Sequence, residues 1–280
     1  RYDVDDFYLS NGDDGGSQAD NATTGSVGVS YAVTPQANVY FTLGRGYETP
    51  TLTEQAYAAD GGRGFNRNLQ PSFSTQYEFG WKAVLGAGVR VNVAAFQIDT
   101  EDEIVVAASS GGRTSFQNAG ATERRGFELG IDGRFGKNWS ASFAYTHLAA
   151  VYADDFVAGG RLIRSDNRLP GVPENTAFAE IVFRPNAHFS TALESIYRDQ
   201  VEVEDANLAQ GAPAYTALNW RAALEQQFGA WSVQQTLRVD NLLDRRYIGS
   251  VIVNEANTRY YEAAPGRSWY AGIGVGYRFE

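Results

Sequence analysis

Between Val239 and Gly249 the chain reads VDNLLDRRYIG, gathering Asp240, Asn241, Asp244, Arg245 and Arg246 inside seven residues. Carboxylates and guanidinium groups at that density could serve catalysis, form an ion pair at a surface, or end a strand. Acyl-transfer chemistry needs a nucleophile with a base in hydrogen-bond reach and a third group to orient the base. The chain has two histidines and no cysteine. His188 falls in a very short turn and His147 near a strand end, so neither is set for a Ser–His–Asp constellation, and no enzyme activity is expected. The lack of cysteine excludes disulfides and thiolate chemistry. With no methionine either, the soft ligands of a copper site are missing. The acidic runs Asp13–Asp14 with Asp20, Glu101–Asp102–Glu103, Asp154–Asp155 and Glu202–Glu204–Asp205 lack the glycine-punctuated spacing of a calcium loop. They read as solvated carboxylates, and no metal or other cofactor is expected. A formal net charge of −10 argues against a nucleic-acid partner, whose phosphates need a basic face.

The elements that would carry these residues are strands. Helical periodicity is nearly absent, and alternation with period two runs through the chain. Trp269, Ala271, Ile273, Val275, Tyr277 and Phe279 share one face of the last segment, opposite Ser268, Tyr270, Gly272, Gly274, Gly276 and Arg278. Phe127, Leu129, Ile131 and Phe135 oppose Glu128, Gly130, Asp132 and Arg134 in the same way. The pattern predicts about twelve strands, over 1–9, 24–33, 38–49, 72–85, 89–104, 121–135, 139–154, 174–184, 189–205, 214–228, 231–248 and 268–279. Tiny turns (34–37, 86–88, 136–138, 185–188, 229–230) alternate with long polar connections (10–23, 51–71, 105–120, 155–173, 206–213, 250–267).

A soluble β-sandwich also alternates, but its strands are shorter and its turns are not segregated by length. Short turns at one end, long loops at the other, and aromatics beside the short turns are the marks of a transmembrane barrel. Trp139 and Trp231 each follow a short turn, while Trp81 and Phe135 precede one. The fold class expected is therefore all-β: a single antiparallel, up-and-down transmembrane β-barrel region over 1–280. Arg1 opens the chain without an initiator Met or a targeting signal. A fragment or mature segment is expected.

Five stretches, in order, resemble the C-terminal barrel of TonB-dependent outer-membrane receptors. They are SVGVSYAVTPQANVYFTLGRGYETPT (26–51), NRNLQPSFSTQYEFGWKA (66–83), FQNAGATERRGFELGIDGRF (116–135), VDNLLDRRYIG (239–249) and APGRSWYAGIGVGYRFE (264–280). The second departs from the family pattern at Arg67 and Phe73. The resemblance implies a barrel of about 22 strands in the intact family, preceded by a plug domain and coupled to TonB. Here the plug and the N-terminal strands would be absent. It further implies a bacterial outer-membrane location, contact with lipid and lipopolysaccharide, and uptake of a scarce small ligand. Iron chelates, or organic cofactors such as pyrroloquinoline quinone, are the ligand classes it suggests. Residues 46–71 hold no histidine, which removes the ligand of the family's haem receptors. The alternative is a truncated or engineered twelve-stranded barrel, closed on itself, acting as a passive pore or scaffold without ligand specificity.

Two residue sets follow. Long-loop arginines and aromatics suit capture of an anionic or aromatic ligand, because the guanidinium fork binds carboxylates bidentately and rings stack. They are Tyr57, Arg63, Phe65, Arg67, Arg113, Phe116, Tyr152, Arg161, Arg164, Arg259, Tyr260 and Tyr261. The second set is expected to line the lumen: Glu78, Lys82, Glu128, Asp132, Arg134, Arg221, Glu225, Arg238 and Arg278. In VDNLLDRRYIG, Val239 continues the lipid face begun at Trp231, and Arg238 and Asp240 face the lumen. The rest marks the outer rim, where Asp244 is expected to pair with Arg245 or Arg246.

Overall fold

Alternation becomes a sheet only if neighbouring strands align residues of the same class, and the register here does so. A computed structural model describes residues 2–5, 17–60, 62, 64–86 and 88–279. β1 (Tyr2–Asp5) and β2 (Ser17–Asp20) pair in a ribbon of their own. β3 (Gly25–Thr34), β4 (Ala37–Glu48), β5 (Ser72–Leu85) and β6 (Val89–Glu101) form an antiparallel meander, and the connection from β4 to β5 holds one helical turn, α1 (Leu52–Gln55). β7 (Ile104–Ser110) and β8 (Arg113–Asn118) make a hairpin outside the sheet, which β9 (Ala121–Phe135) and β10 (Trp139–Tyr152) rejoin. β11 (Phe156–Ala158) and β12 (Arg161–Ile163) repeat this device before β13 (Asn175–Phe183), β14 (Phe189–Arg198), β15 (Tyr215–Phe228) and β16 (Trp231–Asp240). β17 (Ile248–Val251) and β18 (Tyr261–Ala263) form a third hairpin, and β19 (Ser268–Tyr277) pairs back on β16.

The sheet has eleven strands in the order β19-β16-β15-β14-β13-β10-β9-β6-β5-β4-β3, and among the described residues β3 and β19 are edges. This corrects the expected twelve. Among the described residues the N-terminal strand pairs with β2 and not with the sheet, and the sheet is a partial barrel that does not close; positions 6–9 of the expected first strand lie outside the described residues. Several strands also stop short of their sequence limits. β14 ends at Arg198 and β16 at Asp240. The residue after β16, Asn241, takes a positive φ of 50°, and Asp244 one of 51°. Asn and Asp tolerate that conformation better than other non-glycine residues, and it turns the chain out of the pleat. At the other end, Gly229 takes φ 61° between Phe228 and Trp231, a left-handed setting that a tight hairpin requires.

One sheet face is apolar and carries aromatics at both margins. Near the short turns Trp139 sits in register with Phe135 and Phe183, its ring 4.4 Å from that of Phe183. Trp231 is likewise in register with Phe228 and Tyr277, 4.8 Å from the latter. Towards the long connections Tyr47 packs on Phe73 and Phe127 on Tyr145. Aromatics at both margins of an apolar face are the pattern of the girdles in transmembrane barrels.

The opposite face is polar. Glu78, Lys82, Glu128, Asp132, Arg134, Arg221, Glu225 and Arg238 fall on it by register, and Arg278, just past β19, continues its phase. Lys82 lies over the Tyr40 ring, whose hydroxyl donates to Glu78 at 2.6 Å. Arg90 pairs with Asp132, and Arg221 reaches across β14 to Glu180. Arg238 donates to Asp240 at 2.6 Å and approaches Glu194. These groups are partly exposed, so solvent screening keeps the contribution of the pairs small. The buried core lies elsewhere. Ala119, Ala150, Tyr152, Ile163 and Leu169 cluster at the long-loop end with Leu148 and Phe156 against them.

Candidate functional site

The long connections interlock through backbone groups that would otherwise be unpaired. Asn254, in the β17–β18 connection, is the tie. Its N–H donates to Val203 O, and its carbonyl accepts from Ser109 N in the β7–β8 hairpin. Its side-chain Nδ2 donates to Val106 O at 2.6 Å and to Asp205 Oδ2 at 2.9 Å, and its Oδ1 accepts from Asp205 N. Tyr152 Oη donates to Asp205 Oδ1 at 2.7 Å, and Asn167 Nδ2 donates to Asp205 O. Asp205 is 3% exposed and Val203 fully buried. Burial pushes the Asp205 carboxyl above the ordinary aspartate range, against the lowering pull of its two donors. The connections are thereby preorganised as one cap.

Several concavities open on this cap, and three of them are lined by residues expected from the sequence to meet a ligand. The first, about 390 Å³, is lined by Tyr57, Asp60, Ser110, Arg113 and Ser115, with the Arg113 guanidinium 5.4 Å above the Tyr57 ring. Arg161, Glu204, Asn254, Glu255 and Tyr260 line the second, about 410 Å³. There Arg161 pairs with Glu204 at 3.2 Å, and burial raises the Tyr260 phenol, which stays protonated. The third, about 500 Å³, is bounded by Pro213, Ala214, Tyr215, Arg245, Arg246, Tyr247, Ile248, Tyr261 and Ala263.

The residues expected to capture ligand thus divide. Tyr57 and Arg113 meet in one pocket, Arg161 and Tyr260 in another, and Tyr261 lines the third. Arg164 and Arg259 are exposed outside these pockets, as is Arg67. Phe65 and Phe116 are half-buried, and the Phe116 carbonyl accepts from Asn66. Arg63 lies outside the described residues. Tyr152 is a correction: at 1% exposure, its ring packed on Phe156, it cannot touch a ligand and instead positions Asp205. The expected pairing of Asp244 is corrected too. Its Oδ1 accepts from Arg267 N at 2.9 Å, and neither Arg245 nor Arg246 forms an ion pair with a described residue. Sequence reasoning passed over Asp205, Asn254, Tyr215 and Tyr247, which become neighbours only when distant connections fold together. The one signal for the last pair was the Arg-Arg-Tyr run at 245–247.

Among the described residues neither histidine ring is hydrogen-bonded to a serine, threonine or tyrosine hydroxyl. His147 Nδ1 lies 3.0 Å from Asn175 Oδ1 on the apolar face, and His188 Nδ1 3.1 Å from Glu225 O in a short turn. Among the described residues no group of three or more His, Cys, Asp or Glu converges as a metal site. No described helix is long and apolar enough to cross a membrane, which says nothing about strands.

The sequence matches the family described as "TonB dependent receptor-like, beta-barrel" over residues 1–242. It is 24% identical over 255 residues to "Probable TonB-dependent siderophore receptor PiuA" of Acinetobacter baumannii, covering 87% of this chain and 31% of that protein. It is 25% identical over 258 residues to "Metal-pseudopaline receptor CntO" of Pseudomonas aeruginosa, covering 88% and 33%. The crystal structure of PiuA superposes with a TM-score of 0.71 at 21% identity, over 90% of this chain and 36% of that one, and shows likeness of fold. The chain spans about a third of the length of the curated relatives it matches.

Proposed function

The chain belongs to the TonB-dependent receptor β-barrel family, and on that footing we propose that it is the C-terminal barrel portion of an outer-membrane receptor importing a scarce small ligand. An iron chelate is the favoured class, with an organic cofactor as the other. The observation that carries this reading is the cap: long connections interlocked at one end, holding arginines beside tyrosine rings in pockets of a few hundred Å³. Preformed concavities of that size suit small ligands, and arginine with stacked rings suits planar anions. The name of one relative, a siderophore receptor, supports the iron-chelate class, and that of the other, a metal-pseudopaline receptor, supports a metal chelate more broadly.

On this reading the apolar face meets lipid, with lipopolysaccharide around the cap. The polar-face charges Glu78, Lys82, Glu128, Asp132, Arg134, Arg221, Glu225, Arg238 and Arg278 line the wall that meets a plug domain, and TonB supplies the pull. The relatives are transport receptors, which supports transport over catalysis. A passive self-closing pore draws no support from a sheet with two open edges. The test is uptake of radio-iron by cells lacking the gene, supplied with a panel of ferric chelates under iron limitation. Restoration by the full-length receptor, for at least one chelate and only with TonB present, is the expected result. Equal uptake with and without the receptor across the panel would overturn the reading.

A further inference from the structure

The third concavity has a charge balance unlike the other two. In the first, Arg113 shares the pocket with Asp60, and in the second Arg161 is paired with Glu204. In the third, Arg245 and Arg246 both line the space, both are exposed, and neither donates a side-chain hydrogen bond or ion pair to any described residue. Neither nearby acid pairs with these two guanidinium groups. Asp244 accepts from Arg267 N, and Asp240 is paired with Arg238. In a chain of net charge −10, two guanidinium groups without an ion-pair partner in one pocket leave charged donors open to an anion.

The pocket is also rigid and flat-walled. Tyr215 and Tyr247 stack with centroids 4.1 Å apart and planes 23° from parallel. The Tyr261 hydroxyl donates to Gln210 O, which fixes the third ring. Buried Asn241 holds the turn below the arginines, accepting from Arg245 N at 2.9 Å and donating to Arg245 O at 2.8 Å. The guanidinium stems therefore start from a fixed backbone, which lowers the ordering cost of binding. Pro213, Ala214, Ile248 and Ala263 complete apolar walls that favour a ring over a hydrated inorganic ion.

We propose that the pocket between Tyr215, Tyr247 and Tyr261, closed by Arg245 and Arg246, is a binding site for a planar aryl carboxylate. The ring lies against the tyrosines and the carboxylate takes the guanidinium forks. The assignment rests on the transport reading for how such a ligand reaches the cap. The aryl carboxylate arrives either as the free acid or as one arm of an iron chelate.

The test is equilibrium binding of salicylate to the full-length receptor in detergent, with and without ferric iron, beside cyclohexanecarboxylate, which has the charge without the plane. Salicylate is expected to bind, and cyclohexanecarboxylate to bind at least several-fold more weakly. Arg245→Gln with Arg246→Gln is expected to weaken salicylate about tenfold or more, as loss of charge-assisted hydrogen bonds does. Tyr247→Leu should weaken it several-fold, while Arg245→Lys with Arg246→Lys, which keeps the charge but not the fork, falls between. Heat-modifiable migration on gels shows that each variant is folded. Tighter binding with iron assigns the chelate arm, and equal binding assigns the free acid. Absence of salicylate binding, equal binding of the non-planar acid, or an unchanged Gln double variant overturns the site. Salicylate binding that persists while no ferric chelate is taken up overturns the transport reading and leaves the site standing.

Discussion

Asp205 shows how much one side chain can organise. It takes hydrogen bonds from Tyr152 and Asn254, and the latter also reaches Val106 and Val203. Asp205→Ala would strand a buried hydroxyl and an amide, at about 1–3 kcal/mol. Faster amide exchange in 104–118, 201–212 and 248–263, with β5 and β6 unaffected, is the expected result. The same group sets a pH response. Its folded pKa is raised by burial, so its contribution is fully present below the unfolded value and is lost as pH rises through the raised one. Intrinsic-rate-corrected exchange of the cap is expected to slow as pH falls across that interval, and Asp205→Asn to flatten the change. None of this was legible in the sequence, where Asp205 was one carboxylate in an acidic run. A residue's partner 49 positions away is set by how loops return, not by local pattern.

At the scale of elements, strand phase was legible and strand ends were not. Period two assigns Trp139, Trp231 and Arg238 to their faces because a pleat leaves no third option. What stops β16 is Asn241 turning through positive φ, with its side chain bonding Arg245 N and O. The run VDNLLDRRYIG looked like extended chain because a turn of that kind has no hydrophobic period. The β11–β12 hairpin was hidden for a related reason, since its strands are three residues each, too short to show a period. Gly80 gives a test of element packing. It sits opposite Tyr40, and a Cβ there would lie 2.3 Å from the Tyr40 ring. Gly80→Val is expected to displace that ring, break its bond to Glu78 and cost about 1–3 kcal/mol. The urea midpoint of the refolded full-length receptor should fall accordingly.

For the whole molecule, the assignment of faces can be tested at matched depth. Ile181 lies on the apolar face and its neighbour across the pleat, at Ser142, lies on the polar one beside Glu180. Ile181→Arg, one alternate position in from the girdle at Phe183, is expected to destabilise the membrane-inserted receptor by about 1–2 kcal/mol, while Ser142→Arg changes stability little. Equal effects in vesicle unfolding would refute the orientation. Fold class was readable from turn lengths and alternation, but closure was not, because pairing of the two edge strands leaves no mark on either strand's sequence. The cap, finally, has an immunological consequence. Segments separated by 148 residues meet at Asn254 and Val106, so with the proposed outer-membrane placement the surface presented to the outside would be a discontinuous epitope. Antibodies raised against the folded receptor are expected to stain intact cells and to lose the antigen on a denaturing blot. Antisera raised against single loop peptides should show the reverse.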